Sequence, residues 1–169
     1  MSMTRGLYIL AAALAAAAAL PAEAQNVVTT YRLSAALAAE AVTAAVAACA
    51  KQGYKETAVV LDSEGVEQAM LRGDGANPLT LDAARDKAYT AVTLGATRGE
   101  TSGEVAKRYA NLPPMSLPKL PHVLLAQGGL LIKRGNDVIA AIGAGGAPGG
   151  DLDDACAKAG IDKISDRLK

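Results

Sequence analysis

The sequence predicts one two-layer α+β domain, with helices flanking a five-stranded antiparallel sheet in the order α-β-β-α-α-β-β-β-α. Strand-like segments fall into two groups with short connections, and short connections require antiparallel pairing. Helical patterns lie outside these groups, as in α+β folds. The chain has 169 residues, a length that suits one hydrophobic core.

Four helices are predicted from apolar residues at helical spacing and from capping residues at their starts. They cover residues 35–51, 81–95, 102–110 and a segment that begins near Asp151. Ser34 and Thr80 are the expected N-caps of the first two helices. Gly53 is well placed to end the first helix.

Five strands are predicted from short β-branched or apolar runs bounded by turn signals. They cover residues 57–62, 66–72, 122–127, 129–134 and 137–144. The expected hairpin turns are Ser63-Glu64-Gly65 and Gly135-Asn136. Residues 112–122 contain four prolines. Since proline fits neither a helix interior nor a central strand, we expect an ordered crossing or a flap there.

Residues 1–24 have the pattern of a signal peptide. Arg5 supplies the positive charge, 8–20 is the apolar run, and Ala22-Glu23-Ala24 is a small-x-small cleavage site. Residues 25–169 then form the single domain, which we expect to be periplasmic or secreted and free of the membrane. The alternative is a retained membrane anchor, although the apolar run is short for a span.

The charge balance and the residue types exclude several classes of function. The chain carries 17 Lys and Arg against 17 Asp and Glu, whereas nucleic-acid binding needs a clustered basic excess. A single histidine and no Gly-x-Ser-x-Gly motif argue against a Ser-His-Asp triad. Cys and His do not show the spacing of a structural zinc site. No catalytic residue is assigned.

The two cysteines, Cys49 and Cys156, are candidates for a disulfide. Two cysteines in an oxidising compartment can pair, provided that their helices lie side by side. The alternative is two small buried apolar residues on helices that never meet. The residues alone leave both alternatives open.

The glycine-rich segment 143–160, GAGGAPGGDLDDACAKAG, is predicted to be a structural turn and not a phosphate site. Pro148 stands where a dinucleotide-binding fingerprint requires its third glycine. Asp151, Asp153 and Asp154 already place negative charge at the start of the following helix, so a phosphate would be repelled.

Four segments, in order, resemble the GlcG/HbpS-type haem-binding family, which includes the C-terminal domain of PduO-type proteins. They read LSAALAAEAVTAAVAACAKQGY, VVLDSEGVEQAMLRGDGA, LDAARDKAYTAVTLG and GGLLIKRGNDVIAAIG, and a GAPG loop follows the last. The resemblance covers residues 33–161. It departs from the family pattern at Val66, where some members have histidine, and at Leu131, where proline is usual.

The resemblance implies an antiparallel sheet flanked by helices, self-association into homo-oligomers, and haem or a related tetrapyrrole as ligand. Haem needs an axial ligand, an apolar slot and cations for its propionates. The candidate ligands of the haem iron are His122, Tyr89 and Tyr109, with a hydroxyl of Thr93, Thr97 or Thr101 as a further route. The candidate propionate partners are Arg72, Arg85 and Lys87. For each of these residues the alternative is an ordinary surface or packing role.

We therefore predict an exported haem-binding or haem-handling protein, and we leave open whether it is an enzyme that degrades haem. A second hypothesis is a non-catalytic, oligomerising subunit of an exported oxidoreductase. Its contact surface would be the apolar, proline-rich segment 112–121.

Overall fold

The structure is a computed structural model that describes residues 28–110 and 120–169. All its elements lie in the unit Tyr31–Lys169. The helices are α1 (Ala35–Ala50), α2 (Leu79–Thr90), α3 (Ser102–Tyr109) and α4 (Gly150–Ile164). The strands are β1 (Thr57–Asp62), β2 (Glu67–Arg72), β3 (Gly129–Arg134) and β4 (Asp137–Gly145). A π-helical turn (Ala91–Gly95) and a 3-10 turn (Ala96–Arg98) follow α2, and another 3-10 turn (Ser165–Arg167) follows α4.

The described strands form one four-stranded sheet in the order β2-β1-β4-β3, and every neighbouring pair is antiparallel. The two predicted hairpins are present, and the pairing of β1 with β4 joins them at the centre of the sheet. Val59 lies opposite Met70 on one side and Gly143 on the other. The prediction of five strands is wrong, because 122–127 is not a strand.

The backbone of 122–127 makes its hydrogen bonds outside the sheet. His122 has a φ of 63° and lies in a turn, which interrupts any extended run. The Leu124 amide donates to the Thr90 hydroxyl at 2.9 Å, and the Ala126 amide donates to the Leu124 carbonyl. Since α2 and a local turn take these donors, they are not available for strand pairing.

Helices cover both faces of the sheet, so the domain has three layers where the sequence predicted two. The core on the first face is formed by buried residues of α1 and α4 against Val60, Ile132 and Ile142 of the sheet. On the second face, Ala84 and Ala88 of α2 pack with the neighbouring Ala91 and Val92 against Val59, Leu61 and Ala141. Small side chains on the helices bring the layers close together.

Glycine in β4 allows α2 to lie directly on the sheet. A Cβ atom placed on Gly143 would be 1.9 Å from the Ala84 carbonyl oxygen, a distance that no side chain tolerates. Beyond the strand, Gly146 has a φ of 136°, and Gly149 is the N-cap of α4. The glycine-rich segment therefore serves close packing and a turn.

The helix ends agree with the sequence in part. The Ser34 hydroxyl caps α1 by accepting from the Leu37 amide at 3.3 Å. Thr80 does not cap α2, because the helix already begins at Leu79. The Thr80 hydroxyl instead donates to the Asn77 carbonyl at 2.6 Å. Within the described residues, no helix has the length and apolar character that a membrane span requires.

Replacing Gly143 with alanine should lower the free energy of unfolding by about 3 kcal/mol or more, because the added methyl group forces α2 away from β4. Urea denaturation measures this. Gly135→Ala is the control, since its Cβ would meet nothing within 4 Å and its φ is 59°. The control should lose only about 1–2 kcal/mol. Equal losses in the two variants would contradict this account of the packing.

Candidate functional site

The only histidine of the chain is held at the surface by an aspartate of α2. His122 Nδ1 lies 3.3 Å from Asp86 Oδ1. The His122 side chain is 60% exposed, and that of Asp86 is 26% exposed. A carboxylate at this distance favours the tautomer with the proton on Nδ1, which leaves the Nε2 lone pair free for a ligand.

Two predicted ligand residues, His122 and Tyr89, come together in the structure. Their ring centroids are 5.9 Å apart, and the rings meet edge to face. The Tyr89 ring also covers the tip of the β1–β2 hairpin, where a Cβ placed on Gly65 would be 2.9 Å from the ring. We call Asp86, Tyr89 and His122 the His122 surface.

Exposed apolar residues lie beside the His122 surface in the sequence. Val66 follows the glycine that contacts Tyr89, and Leu120 and Leu125 flank His122. These three side chains are 59%, 45% and 38% exposed. An oriented imidazole and exposed apolar side chains are two of the features that an apolar, iron-containing macrocycle needs.

The other candidate residues have partners of their own. The Arg72 guanidinium donates twice to the Ala76 carbonyl. Arg85 pairs with Glu67 and Asp82. The Tyr109 ring lies under the Arg108 guanidinium, with 4.6 Å between the guanidinium carbon and the ring centroid. Thr93 and Thr97 are exposed, and Thr101 caps α3.

Lys87 is buried and does not extend to the surface as a propionate partner should. Its Nζ lies 2.5 Å from Asp153 Oδ2 and donates to the Ala144 carbonyl at 3.1 Å. Both side chains are less than one-tenth exposed. The carboxylate that the sequence placed in the first turn of α4 thus points into the protein, where it also accepts from the Ala147 amide.

A third buried ionisable group, Glu56, lies next to this pair. Burial and the nearby Asp153 carboxylate raise the pKa of Glu56 to about 8. Glu56 is therefore mostly protonated at pH 7. Its Oε2 lies 3.2 Å from Cys49 Sγ. We call Glu56, Lys87 and Asp153 the buried ionic cluster.

The structure joins Cys49 and Cys156 in a disulfide that ties α1 to α4. Both residues are fully buried. The bond closes a loop between residues 107 positions apart. On the chain-entropy account, a loop of this length stabilises the fold by about 4–5 kcal/mol.

Clefts of ligand size lie at the margins of the fold. One of about 420 Å³ runs along the edge strand β3 and is lined by Leu130, Leu131, Ile161, Thr101, Lys133 and Lys158, among others. Its apolar lining and two lysines also suit an apolar molecule with carboxylates, and one of the two, Lys158, is paired with Asp162 at 2.6 Å. We call it the β3 cleft.

Sequence reasoning missed Asp86 and Glu56. Asp86 lies three residues before Tyr89 on α2, and Glu56 directly precedes the fully buried strand β1. A charged residue two positions before the apolar run 58–61 is a signal that could have indicated burial. Nothing local in the sequence indicates that Asp86 lies close to His122, 36 residues later.

Comparison with known proteins identifies the family. The family described as haem-degrading protein HbpS-like matches residues 33–162. The chain belongs to this family. The match covers both hairpins and all four helices except the last residues of α4. No curated protein matches the sequence.

Solved structures agree with this assignment. A variant of HbpS from Streptomyces reticuli with two glutamate-to-aspartate substitutions is 36% identical, at a TM-score of 0.74, over 86% of this chain and 96% of that chain. The Klebsiella pneumoniae protein ORFY is 20% identical, at a TM-score of 0.73, over 83% and 96%. A PduOC complex with haem is 22% identical, at a TM-score of 0.69, over 79% and 96%. The last two show likeness of fold.

The raised pKa of Glu56 makes the stability of the protein depend on pH. The ordinary pKa of a glutamate is 4.5, and folding raises it to about 8. The folded state holds the Glu56 proton more tightly than the unfolded state does. The contribution of Glu56 to the free energy of unfolding is therefore fully present below pH 4.5 and is lost as pH rises towards 8. In Glu56→Gln that loss should be absent.

Urea denaturation at pH 5 and pH 8 measures the effect as the difference between the wild type and Glu56→Gln. The free energy of unfolding of Glu56→Gln minus that of the wild type should be larger at pH 8 than at pH 5. Glu64→Gln is the matched control, because the Glu64 side chain is 64% exposed. The same pH dependence in the wild type and Glu56→Gln would contradict the prediction.

Proposed function

We propose that this protein binds haem or a related tetrapyrrole, with His122 as the axial ligand of the iron. The observation that carries the proposal is the His122–Asp86 contact, which presents an exposed imidazole with its Nδ1 already engaged. Membership of a family described as haem-degrading supports the same ligand class. PduOC, which shares the fold, has been crystallised with haem.

The residues of the His122 surface fit such a ligand. In metal-bound histidines the N–H of the second ring nitrogen usually donates to a carboxylate, a backbone carbonyl or water, which fixes the ring and raises its basicity. Asp86 is in the position to do this. Tyr89 supplies an aromatic edge, and exposed Val66 and Leu125 supply apolar contact. Bound haem would supply an iron centre for redox or oxygen chemistry, while the protein orients it and limits its access to water.

The interface between α2 and the sheet is too closely packed to admit a macrocycle, since a Cβ on Gly143 would lie 1.9 Å from the Ala84 carbonyl oxygen. We therefore place the haem at a margin of the fold. The β3 cleft is the rival location, with Lys133 and Lys158 as propionate partners. Variants in the two places distinguish the two locations.

We also propose that the protein is exported and is periplasmic or secreted. The signal-peptide pattern of residues 1–24, which lies outside the described residues, supports this, and so does the Cys49–Cys156 disulfide. Disulfides persist in oxidising compartments and are rare in the cytosol.

Self-association into a homo-oligomer belongs to the same proposal. The hypothesis of an accessory subunit of an exported oxidoreductase remains a second prediction. Its contact surface, residues 112–121, lies almost entirely outside the described residues. Co-purification of a larger enzyme from the native host would support that alternative.

Hemin titration of the purified protein should produce a shifted Soret band with saturation at micromolar protein. His122→Ala should abolish or move that band and weaken binding at least about ten-fold, because the imidazole ligand is lost. Asp86→Asn should weaken binding about ten-fold while keeping the histidine spectrum, since it removes only the group that orients the ring.

Two control variants locate the site. Tyr89→Phe keeps the ring and removes the hydroxyl, so its spectrum should stay that of the wild type. A Lys133→Ala, Lys158→Ala double variant tests the β3 cleft and should bind hemin normally. If the double variant loses hemin binding while His122→Ala keeps the spectrum and affinity of the wild type, the site lies in the β3 cleft. A wild type that gives no Soret shift would refute haem binding.

Expression of the full chain in a Gram-negative host should yield a processed protein in the periplasmic fraction that begins at Gln25. Intact-mass spectrometry of that fraction checks this. Replacing Ala22 and Ala24 with larger residues should block processing, because the peptidase requires small side chains at those positions. Unprocessed wild-type protein in the cytosol would contradict export.

A further inference from the structure

Two cysteines and a glutamate meet in the core, at the disulfide. Cys49 comes from the end of α1, Cys156 from α4, and Glu56 directly precedes β1. One sulfur or carboxylate oxygen from each of these residues lies within 4.8 Å of the other two. All three residues are no more than 1% exposed.

The Glu56 carboxyl is oriented towards the sulfurs. Its Oε2 lies 3.2 Å from Cys49 Sγ. Its Oε1 is buried and accepts no hydrogen bond among the described residues, whereas the protonated carboxyl can donate to the neighbouring Asp153 side chain. A cation bound by this carboxyl would take the place of that proton.

We propose that the reduced chain binds a divalent cation of the zinc class through Cys49, Cys156 and Glu56. Thiolate sulfur selects zinc-class ions over magnesium and calcium, and carboxylate oxygen is an accepted zinc ligand. Sequence spacing gives no sign of the site, because its ligands lie on three elements and the cysteines are 107 positions apart.

The surroundings of the three ligands provide charge and access. The Lys87–Asp153 ion pair lies beside Glu56 and can support the ligands from outside the first coordination shell. A cleft of about 260 Å³ has Glu56, Val46 and Ala50 among its lining residues. Cys49 lies between Val46 and Ala50 in the sequence of α1, and Glu56 itself lines the cleft.

Reduction must come before binding, because a disulfide sulfur is not a thiolate ligand. The S–S bond takes up two electrons and two protons from a dithiol reductant, which itself closes to a disulfide, and two thiols result. The cation then replaces the two thiol protons and the proton of the Glu56 carboxyl, and all three are released to solvent. Disulfide and metal are therefore mutually exclusive states of the same site.

Cobalt(II) is the probe, since its binding to thiolates produces a near-ultraviolet sulfur-to-metal charge-transfer band. The full chain is reduced with dithiothreitol, desalted without oxygen and titrated with cobalt. We expect a band that saturates at one ion per chain and is absent from the oxidised protein. Glu56→Gln should bind at least about ten-fold more weakly, and Glu64→Gln should match the wild type.

Circular dichroism keeps the test decisive if the reduced chain unfolds. In that case cobalt should restore the native spectrum, because a metal that binds only the folded state stabilises it. A reduced chain with no charge-transfer band, folded or not, would refute the site. Equal affinity in Glu56→Gln and Glu64→Gln would remove Glu56 from the ligand set.

Discussion

The ion pair between Lys87 and Asp153 joins two helices that lie on opposite faces of the sheet. α2 supplies the lysine and α4 the aspartate, and Lys87 also donates to the Ala144 carbonyl of β4. Removing one partner of a buried pair leaves a charge without water or counter-charge, which costs about 3–5 kcal/mol. The position of each helix on the sheet therefore depends on the other.

α2 connects this buried pair to the exposed His122 surface. Lys87 points into the protein, whereas Asp86 and Tyr89 contact His122 and Thr90 holds the backbone of the 120–128 segment. Consecutive residues of a helix point in different directions, so one short segment can serve both places. Any change that moves α2 would displace the proposed haem ligand as well as the core, and this links stability to binding.

The hairpins and helices were predictable because their signals are local. β-branched runs around tight turns gave β1–β2 and β3–β4, and Ser34 marked the start of α1. The segment 122–127 was mistaken for a strand because a short apolar run does not indicate which groups its backbone will hydrogen-bond. Lys87 was named as a propionate partner because lysine side chains usually lie at the surface, and its position in the sequence does not reveal the buried Asp153. His122 and Tyr89 were identified as separate candidates, and only the fold shows that they touch.

The sequence by itself determined the four helices, the four strands of the two hairpins and the resemblance to the haem-binding family. Each of these follows from residue type and short-range spacing. Only the tertiary structure decided that the sheet has four strands with helices on both faces, that Asp86 orients His122, and that Glu56 is buried at the disulfide. These outcomes rest on contacts between residues far apart in the sequence, such as the 66 positions that separate Lys87 from Asp153. Local propensity does not encode such contacts, since they form only when whole elements pack.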